Sequence, residues 1–228
     1  LVFMIVLGTV LLNATTARIF AKIVGVFLKK SEGILIVGAS KVSRLIGDYL
    51  EKNGRHVVLI DSNETNIAKS KELGLEAINT NIYSEDLEDN IELNDVGYLM
   101  ALTANPDINK FAINKFQTQF GENGSFRLIS VNEMQDPNQN PKAGLFSHTD
   151  DFVSLAETVR KYPKINEITL NDKEHYNNLI EITKKEEFTI PLFIKNEKGI
   201  LEIISSYSID NKVEKGYKLV YLGKQIKT

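Results

Sequence analysis

Short apolar runs alternate with amphipathic segments through the middle of the chain. The run Ile34–Val37 is continuous, branched and short, as a fully buried parallel strand is. Apolar residues then recur at helical spacing from Val42 to Leu50, and the pair Asn53-Gly54 is typical of a helix end. A second apolar run, Val57–Ile60, ends in Asp61. The pattern predicts a strand, a crossover helix and a second strand.

The same alternation continues toward residue 131. It predicts further strands at Glu76–Ile78, Val96–Thr103 and Ser125–Val131, helices at Asn66–Leu73 and Lys110–Phe120, and a helix or turn at Ile82–Ile91. Strands that alternate with helices predict an α/β fold with a doubly wound parallel sheet of the Rossmann type. Ligands of such sheets bind at the carboxyl ends of the strands.

The pattern changes after the polar, turn-rich stretch Asp136–Pro141. It predicts a helix at Phe152–Tyr162, a strand at Ile165–Leu170, a helix at His175–Thr183, a hairpin of Phe188–Ile194 and Ile200–Ser205, and a last strand at Val213–Gly223. We therefore expect a linker and helix over residues 136–163 and a small α+β module over 164–228.

The first thirty residues have a pattern of their own. Leu1–Leu12 is almost wholly apolar, yet it is shorter than the roughly 20 residues that cross a bilayer. Arg18, Lys22 and Lys29 then fall on one face of a helix. We expect residues 1–30 to be the end of a membrane helix and an amphipathic connector that meets anionic lipid headgroups, with the rest of the chain on the cytoplasmic side. The alternative is a buried helix of a larger soluble protein.

Composition narrows the chemistry. The net charge of −3 argues against a nucleic-acid partner, which a strongly basic face would accompany. The chain has no cysteine, which excludes disulfides and thiol chemistry, and its three histidines are far apart in sequence. We expect neither catalytic residues nor a metal site.

The turn after the first strand predicts a phosphate site. Gly38 lies where the chain turns tightly into the helix, and backbone N–H groups from Ser40 to Ser43 would point at an anion. The dinucleotide fingerprint has three glycines, and Ser40 and Ser43 replace the second and third. The alternative is a Rossmann domain that binds no nucleotide.

Asp61 follows the second strand, where an acid accepts hydrogen bonds from ribose hydroxyls. An acid also disfavours a 2′-phosphate, so NAD or an adenosine nucleotide is expected over NADP. The alternative role for Asp61 is the N-cap of the next helix, and both roles are compatible. Asn79, Thr80, Asn81 and Thr103 are also expected at the carboxyl ends of strands, although each could equally be a turn residue.

The order of these elements resembles a known family. Thr9–Arg18 looks like part of the last membrane helix of a bacterial monovalent cation:proton antiporter of the NhaP-like class. Ile34 to Val131 is similar to the TrkA-N (RCK) domain, which regulates potassium channels and transporters by binding NAD(H) or adenine nucleotides such as AMP and ATP. The last strands resemble the end of a TrkA-C-like module, with a plain α+β accessory domain as the alternative.

The resemblance implies residue roles and partners. Gly38, Ser40, Lys41, Val42 and Ser43 would form the phosphate loop, Asp61 the ribose site, and Asn79, Thr80, Asn81 and Thr103 the adenosine pocket. It also implies a homodimer, a transport domain in the same polypeptide, and an inner-membrane location with this portion facing the cytoplasm.

Three functions are left open. The first is a nucleotide-sensing regulatory portion of a sodium or potassium:proton antiporter. The second is an RCK-type regulator of a potassium channel or uptake system. The third is an NAD-dependent oxidoreductase, which needs an acid or base beside the nicotinamide. Enzymes of the short-chain type use a tyrosine and a lysine four residues apart for this purpose. The third function is disfavoured because no tyrosine of this chain has a lysine four residues later.

Overall fold

The chain forms two compact units, Leu1–Ser31 and Glu32–Thr228. The structure is a computed structural model. It describes residues 2–23, 31–84, 95–121, 123–130, 132–133, 144–146, 151–205 and 212–226.

In the first unit, the described residues form helix α1 (Val2–Ile23). The helix continues without a break through Asn13 to Ile23. The large apolar side chains at its start are exposed, from Val2 at 75% to Leu12 at 63%. In the part of the chain that the structure describes, no helix has both the length and the apolar character needed to cross a membrane.

The second unit contains the predicted parallel sheet, in the order β3-β2-β1-β4-β5-β6. This order reverses between β1 and β4, as in a Rossmann fold. The sixth strand lies in the segment for which the sequence predicted only a linker and a helix. The strands are β1 (Gly33–Val37), β2 (Val57–Asp61), β3 (Glu76–Asn79), β4 (Val96–Ala101), β5 (Gly124–Leu128) and β6 (Gly144–Leu145).

The described residues include three crossover helices of this sheet: α2 (Lys41–Lys52), α3 (Glu64–Glu72) and α4 (Pro106–Phe120). Helix α4 begins four residues before the predicted Lys110, because the Asn105 side chain accepts hydrogen bonds from the first free amides and Pro106 suits the first helical position. The segment predicted as a helix or turn from Ile82 lies largely outside the described residues.

A second, antiparallel sheet has the order β7-β10-β8-β9. Strand β10 begins at Lys218 and not at the predicted Val213, because Gly216 has a φ of +91° in the turn before it. The elements of this part are α5 (Phe152–Lys161), β7 (Ile165–Thr169), α6 (Lys173–Lys185), β8 (Thr189–Lys195), β9 (Leu201–Ile203) and β10 (Lys218–Gly223).

The apolar core lies on both faces of the parallel sheet. Along β1, Ile34 and Ile36 face a core shared with α2, α5 and the antiparallel sheet. Leu35 and Val37 face the opposite way, into a core shared with α4. The antiparallel sheet thus packs onto the first face together with α2, and the Leu145–Ser205 bridge links it to β6. The carboxyl ends of β1 to β4 are left accessible at one edge.

Candidate functional site

A cleft of about 400 Å³ opens at the carboxyl ends of the first four strands. This volume lies in the range of small-molecule sites, roughly 300–1,000 Å³. It surrounds the point where the strand order reverses, between β1 and β4. Its apolar walls come from Val37, Ile60, Ile82, Leu102, Ile108 and Phe152.

Gly38 shapes the floor of the cleft. Its φ is +97°, a conformation that L side chains rarely adopt. A Cβ at this position would lie 3.0 Å from Thr103 Cγ2 and 3.2 Å from the Leu102 carbonyl oxygen. Only glycine therefore allows the turn after β1 to pass so close to the end of β4.

Ser40 caps the helix that follows. Its Oγ accepts the Ser43 N–H at 3.2 Å and lies 3.1 Å from the Ser43 Oγ, which is fully buried. The cap satisfies one of the free amides in the first turn of α2. Within the described residues, the N–H groups of Lys41 and Val42 have no acceptor, so they can bind an anion.

The Asp61 carboxylate forms hydrogen bonds with the loops that follow β1 and β2, at the edge of the cleft. Its Oδ2 accepts the Ala39 N–H at 2.8 Å and the Asn66 amide at 3.1 Å, and its Oδ1 accepts the Asn63 N–H at 2.9 Å. Asn63, and not Asp61, is the N-cap of α3, so the alternative role considered for Asp61 is wrong. A carboxylate has about four lone-pair sites, so one remains for a ligand hydroxyl.

The structure brings most of the predicted site residues together. Six of them line the cleft: Gly38, Ser40, Asp61, Thr80, Asn81 and Thr103. Four do not: the Lys41 side chain is exposed, Val42 and Ser43 are buried in α2, and the Asn79 amide points to the Ser62 carbonyl oxygen at 3.5 Å. The N–H groups of Lys41 and Val42 lie in the first turn of α2, directly after Ser40, which does line the cleft.

Thr103 is fixed by a side chain from α4. Its N–H donates to Asn109 Oδ1 at 3.0 Å, and its hydroxyl donates to the same oxygen at 2.7 Å. Asn109 is almost wholly buried and donates in return to the Thr103 carbonyl oxygen. The end of β4 is therefore a rigid wall of the cleft.

Sequence reasoning missed ten of the sixteen lining residues, three of which have large polar or aromatic side chains. Asn66 on α3, Tyr83 after β3 and Phe152 at the start of α5 all face the cleft. Tyr83 is 52% exposed, and its ring lies 4.5 Å from the Phe111 ring. Of these three, only Asn66 carries a local signal, because it lies in the first turn of the helix that follows Asp61.

A charged cluster occupies the carboxyl end of β5. Arg127 and Glu133 are both buried and form two hydrogen bonds, of 2.7 and 3.2 Å. Lys110 approaches the same carboxylate at 3.1 Å, and the Ser130 N–H and hydroxyl each donate to it at 3.0 Å. Burial raises the pKa of Glu133, but the hydrogen bonds from Arg127, Ser130 and Lys110 outweigh it and lower the pKa to about 2.

A six-stranded parallel sheet with its cleft at the reversal of strand order defines a Rossmann-type domain. Residues 34–134 match the family model of the TrkA-N domain, so this part of the chain is a TrkA-N domain. A comparison with curated protein sequences found no significant match.

Three of the solved structures that the chain matches share little sequence with it. The NAD(P)-binding domain of an exopolyphosphatase-related protein from Archaeoglobus fulgidus has 13% identity and a TM-score of 0.40, over 48% of this chain and 77% of that one. N5-carboxyaminoimidazole ribonucleotide synthetase from Thermotoga maritima has 16% identity and a TM-score of 0.33, over 82% of this chain and 45% of that one. The corresponding synthetase from Staphylococcus aureus has 14% identity and a TM-score of 0.34, over 86% of this chain and 48% of that one. The aligned part is thus less than half the length of each synthetase.

Proposed function

We propose that this chain is the nucleotide-sensing regulatory portion of a monovalent cation:proton antiporter, with sodium or potassium as the cation. In this proposal the cleft binds NAD(H) or an adenine nucleotide such as AMP or ATP. The observation that carries it is the grouping of Gly38, Ser40 and Asp61 around one cleft in a TrkA-N domain, with the free amides of Lys41 and Val42 in the first turn of the helix that Ser40 caps. Together they offer an anion site and a hydroxyl acceptor.

The first unit supports the membrane part of the proposal. The apolar side chains of α1 from Val2 to Leu12 are exposed, as a surface that meets lipid or transport helices would be. Arg18 and Lys22 follow in the sequence and are suited to anionic headgroups. We propose an inner-membrane location with the second unit facing the cytoplasm, a transport domain in the same polypeptide, and pairing of the second unit as a homodimer.

A ligand regulates only by its difference in affinity for two states. Phe152 supplies a route for such a difference, because it lines the cleft and begins α5, whose Leu155 and Val159 pack in the core shared with the antiparallel sheet. A nucleotide that contacts Phe152 would thus act on the packing of α5. The proposed regulation runs through this helix.

The other functions find less support. A potassium-channel or uptake regulator would share the TrkA-N domain, and only Thr9–Arg18 favours the antiporter. For a dehydrogenase, the described lining of the cleft offers two titratable side chains, Asp61 and Tyr83, and Asp61 already accepts three hydrogen bonds. We therefore propose a role without catalysis.

Calorimetry on the whole chain with NAD, NADH, AMP and ATP tests nucleotide binding directly. We expect at least one to bind below millimolar concentration, and Asp61→Asn to weaken it. Failure of all four to bind at millimolar concentration would overturn the sensing proposal.

The transport assignment needs a separate experiment. The polypeptide that carries this chain is placed in everted vesicles, and proton movement is followed on addition of sodium or potassium, with and without nucleotide. We expect cation-dependent proton release that the nucleotide changes. A potassium conductance without proton movement would support the channel alternative, and oxidation of NADH by the chain would support the enzyme.

A further inference from the structure

Among the described residues, the cleft occupies the first half of the crevice that a dinucleotide fold provides. Its described lining comes from the ends of β1, β2, β3 and β4 and from one residue each of α3, α4 and α5. Within the described residues, β5 and β6 contribute nothing to it. A Rossmann fold has two mononucleotide halves, and a dinucleotide lies across both. The space found here corresponds to the first half.

In the second half of the crevice, the Glu133 carboxylate takes the place that a ligand phosphate would occupy. At the end of β5, four donors suited to a phosphate converge on one carboxylate, that of Glu133. These donors are the Arg127 guanidinium, the Lys110 ammonium group, and the N–H and hydroxyl of Ser130. A second phosphate or ribose here would have to displace a buried ion pair, which is costly because it leaves Arg127 unpaired.

At the centre of the crevice, the Ser40 side chain disfavours the binding of a dinucleotide. The second glycine of the fingerprint lets the backbone approach the pyrophosphate where it crosses the helix start. Here a side chain stands at that position, held toward the helix by its hydrogen bond with the Ser43 N–H. Its hydroxyl hydrogen is free to turn toward a ligand oxygen when it does not donate to Ser43 Oγ.

The remaining groups favour a terminal phosphate. The amides of Lys41 and Val42 are available, and the Arg44 guanidinium lies against the loop, 2.6 Å from the Ala39 carbonyl oxygen. A terminal phosphate carries a charge of about −1.5 to −2 at neutral pH, more than either phosphate of a dinucleotide bridge. A helix N-terminus beside cationic side chains stabilises the higher charge more.

We infer that the cleft selects a nucleoside monophosphate over a dinucleotide. The inference rests on the proposed nucleotide binding and specifies the class of ligand. In this proposal the terminal phosphate is held by Gly38, Ser40 and the two free amides. Asp61 accepts a hydrogen bond from a ribose hydroxyl. The base lies against the apolar walls of the cleft, which include Ile60 and Phe152. Glu133 remains paired with Arg127 in the bound state.

Calorimetric titration of the whole chain with AMP and with NAD tests this selection. We expect AMP to bind at least about tenfold more tightly than NAD, because steric crowding in a shaped site discriminates between ligands by about this factor. Ser40→Gly should reduce the ratio at least threefold by improving NAD binding. Glycine is also a tolerated N-cap, so α2 is expected to stay folded.

Asp172→Gly is the matched control. Asp172 caps α6 in the antiparallel part by accepting the His175 N–H, and it does not line the cleft. Its replacement by glycine removes a cap without changing the AMP to NAD ratio. Equal or tighter binding of NAD by the unmodified chain would overturn this inference and leave the nucleotide-sensing proposal standing. Absence of binding by both ligands would also overturn this inference, whereas the nucleotide-sensing proposal fails only if NADH and ATP do not bind either.

Discussion

The Asp61 carboxylate accepts the backbone N–H of Ala39 at 2.8 Å, across 22 positions of sequence. This hydrogen bond joins the turn after β1 to the end of β2, so the anion site and the hydroxyl acceptor are held in one rigid unit before any ligand arrives. Preorganisation of this kind raises affinity because less ordering is needed on binding.

Replacing Asp61 by asparagine tests that unit. The amide loses the charge and keeps one acceptor oxygen for three donors, so we expect a loss of about 1–3 kcal/mol in the free energy of unfolding and a clear loss of nucleotide affinity. Urea denaturation and calorimetry measure the two effects. Asp107→Asn is the control, since Asp107 is an exposed acid in the first turn of α4 and outside the cleft. Equal effects of both substitutions would contradict the role assigned to Asp61.

Gly38→Ala should be more damaging than a glycine change of similar conformation. Gly54 has a φ of +80°, and a Cβ added there would have no neighbouring atom within 4 Å, so Gly54→Ala should cost only the backbone term, about 1–2 kcal/mol. At Gly38 the new methyl also crowds Thr103 and the Leu102 carbonyl, which adds about 1–3 kcal/mol. Urea denaturation compares the two variants. Equal losses would mean that the close approach at Gly38 is unimportant.

His56 makes stability depend on pH. Its ring nitrogens lie 2.8 Å from Asp95 and 2.9 Å from Glu76. Partial burial lowers the pKa of His56, but hydrogen bonds to the two carboxylates outweigh it and raise the pKa above its ordinary value. The pKa is thus higher in the folded state, so this stabilisation is complete below about pH 6.5 and is lost as the pH rises through the folded value.

Denaturation midpoints between pH 5.5 and 8.5 measure this dependence. His56→Gln should remove the decline in stability that begins above about pH 6.5. His175→Gln is the control, because the ring of His175 pairs with no carboxylate in the described part of the chain. An unchanged slope in His56→Gln would show that the decline arises elsewhere.

Tyr49→Phe should loosen the attachment of the antiparallel sheet to α2. The Tyr49 hydroxyl donates to Glu167 at 2.7 Å, and the same carboxylate binds Lys195 and Lys218. Removal of a hydrogen bond to a charged group costs about 1.5–3 kcal/mol, while the phenylalanine ring keeps its stacking against Phe193. Tyr162→Phe is the control, since the described contacts give its hydroxyl no hydrogen bond. Urea denaturation of both variants decides the matter, and unchanged stability of Tyr49→Phe would contradict the link.

The pKa of Glu167 gives a second test of that link. Burial raises the pKa, but hydrogen bonds from Lys218, Tyr49 and Lys195 outweigh it and lower the pKa to about 2. Because the folded pKa lies below the unfolded value of about 4.3, the stabilisation is present above that value and is lost as the pH falls toward 2. Glu167→Gln should therefore flatten the loss of stability between pH 4 and 2, as followed by circular dichroism. Glu157→Gln, at an exposed site on α5, should leave that loss unchanged.

The sequence predicted the parallel sheet well, because each of its early elements has a local signal. The buried strands are continuous apolar runs, and α2 has its apolar face and its end at Asn53-Gly54 within one stretch of chain. Local signals failed where a single contact sets an end, as with the Asn105 cap of α4, or where a strand is only two residues long, as with β6.

The candidate site was predictable only in part, for the same reason. Position after a strand identified Gly38, Asp61 and Thr103. It could not distinguish Asn81, which lines the cleft, from Asn79, whose amide turns to a backbone carbonyl. The direction of a side chain after a strand depends on its neighbours in other segments.

The sequence by itself determined the β-α-β order and the acid after β2, since periodicity and turn residues act between near neighbours along the chain. Only the tertiary structure decided which donors stay free for a ligand. The Glu133 carboxylate and the Ser40 hydroxyl accept hydrogen bonds from several of these donors. The Tyr49 hydroxyl likewise donates to Glu167, which is 118 positions away in the sequence. Such pairings depend on how the two sheets pack against each other, because hydrogen bonds form between groups that the fold brings within about 3 Å.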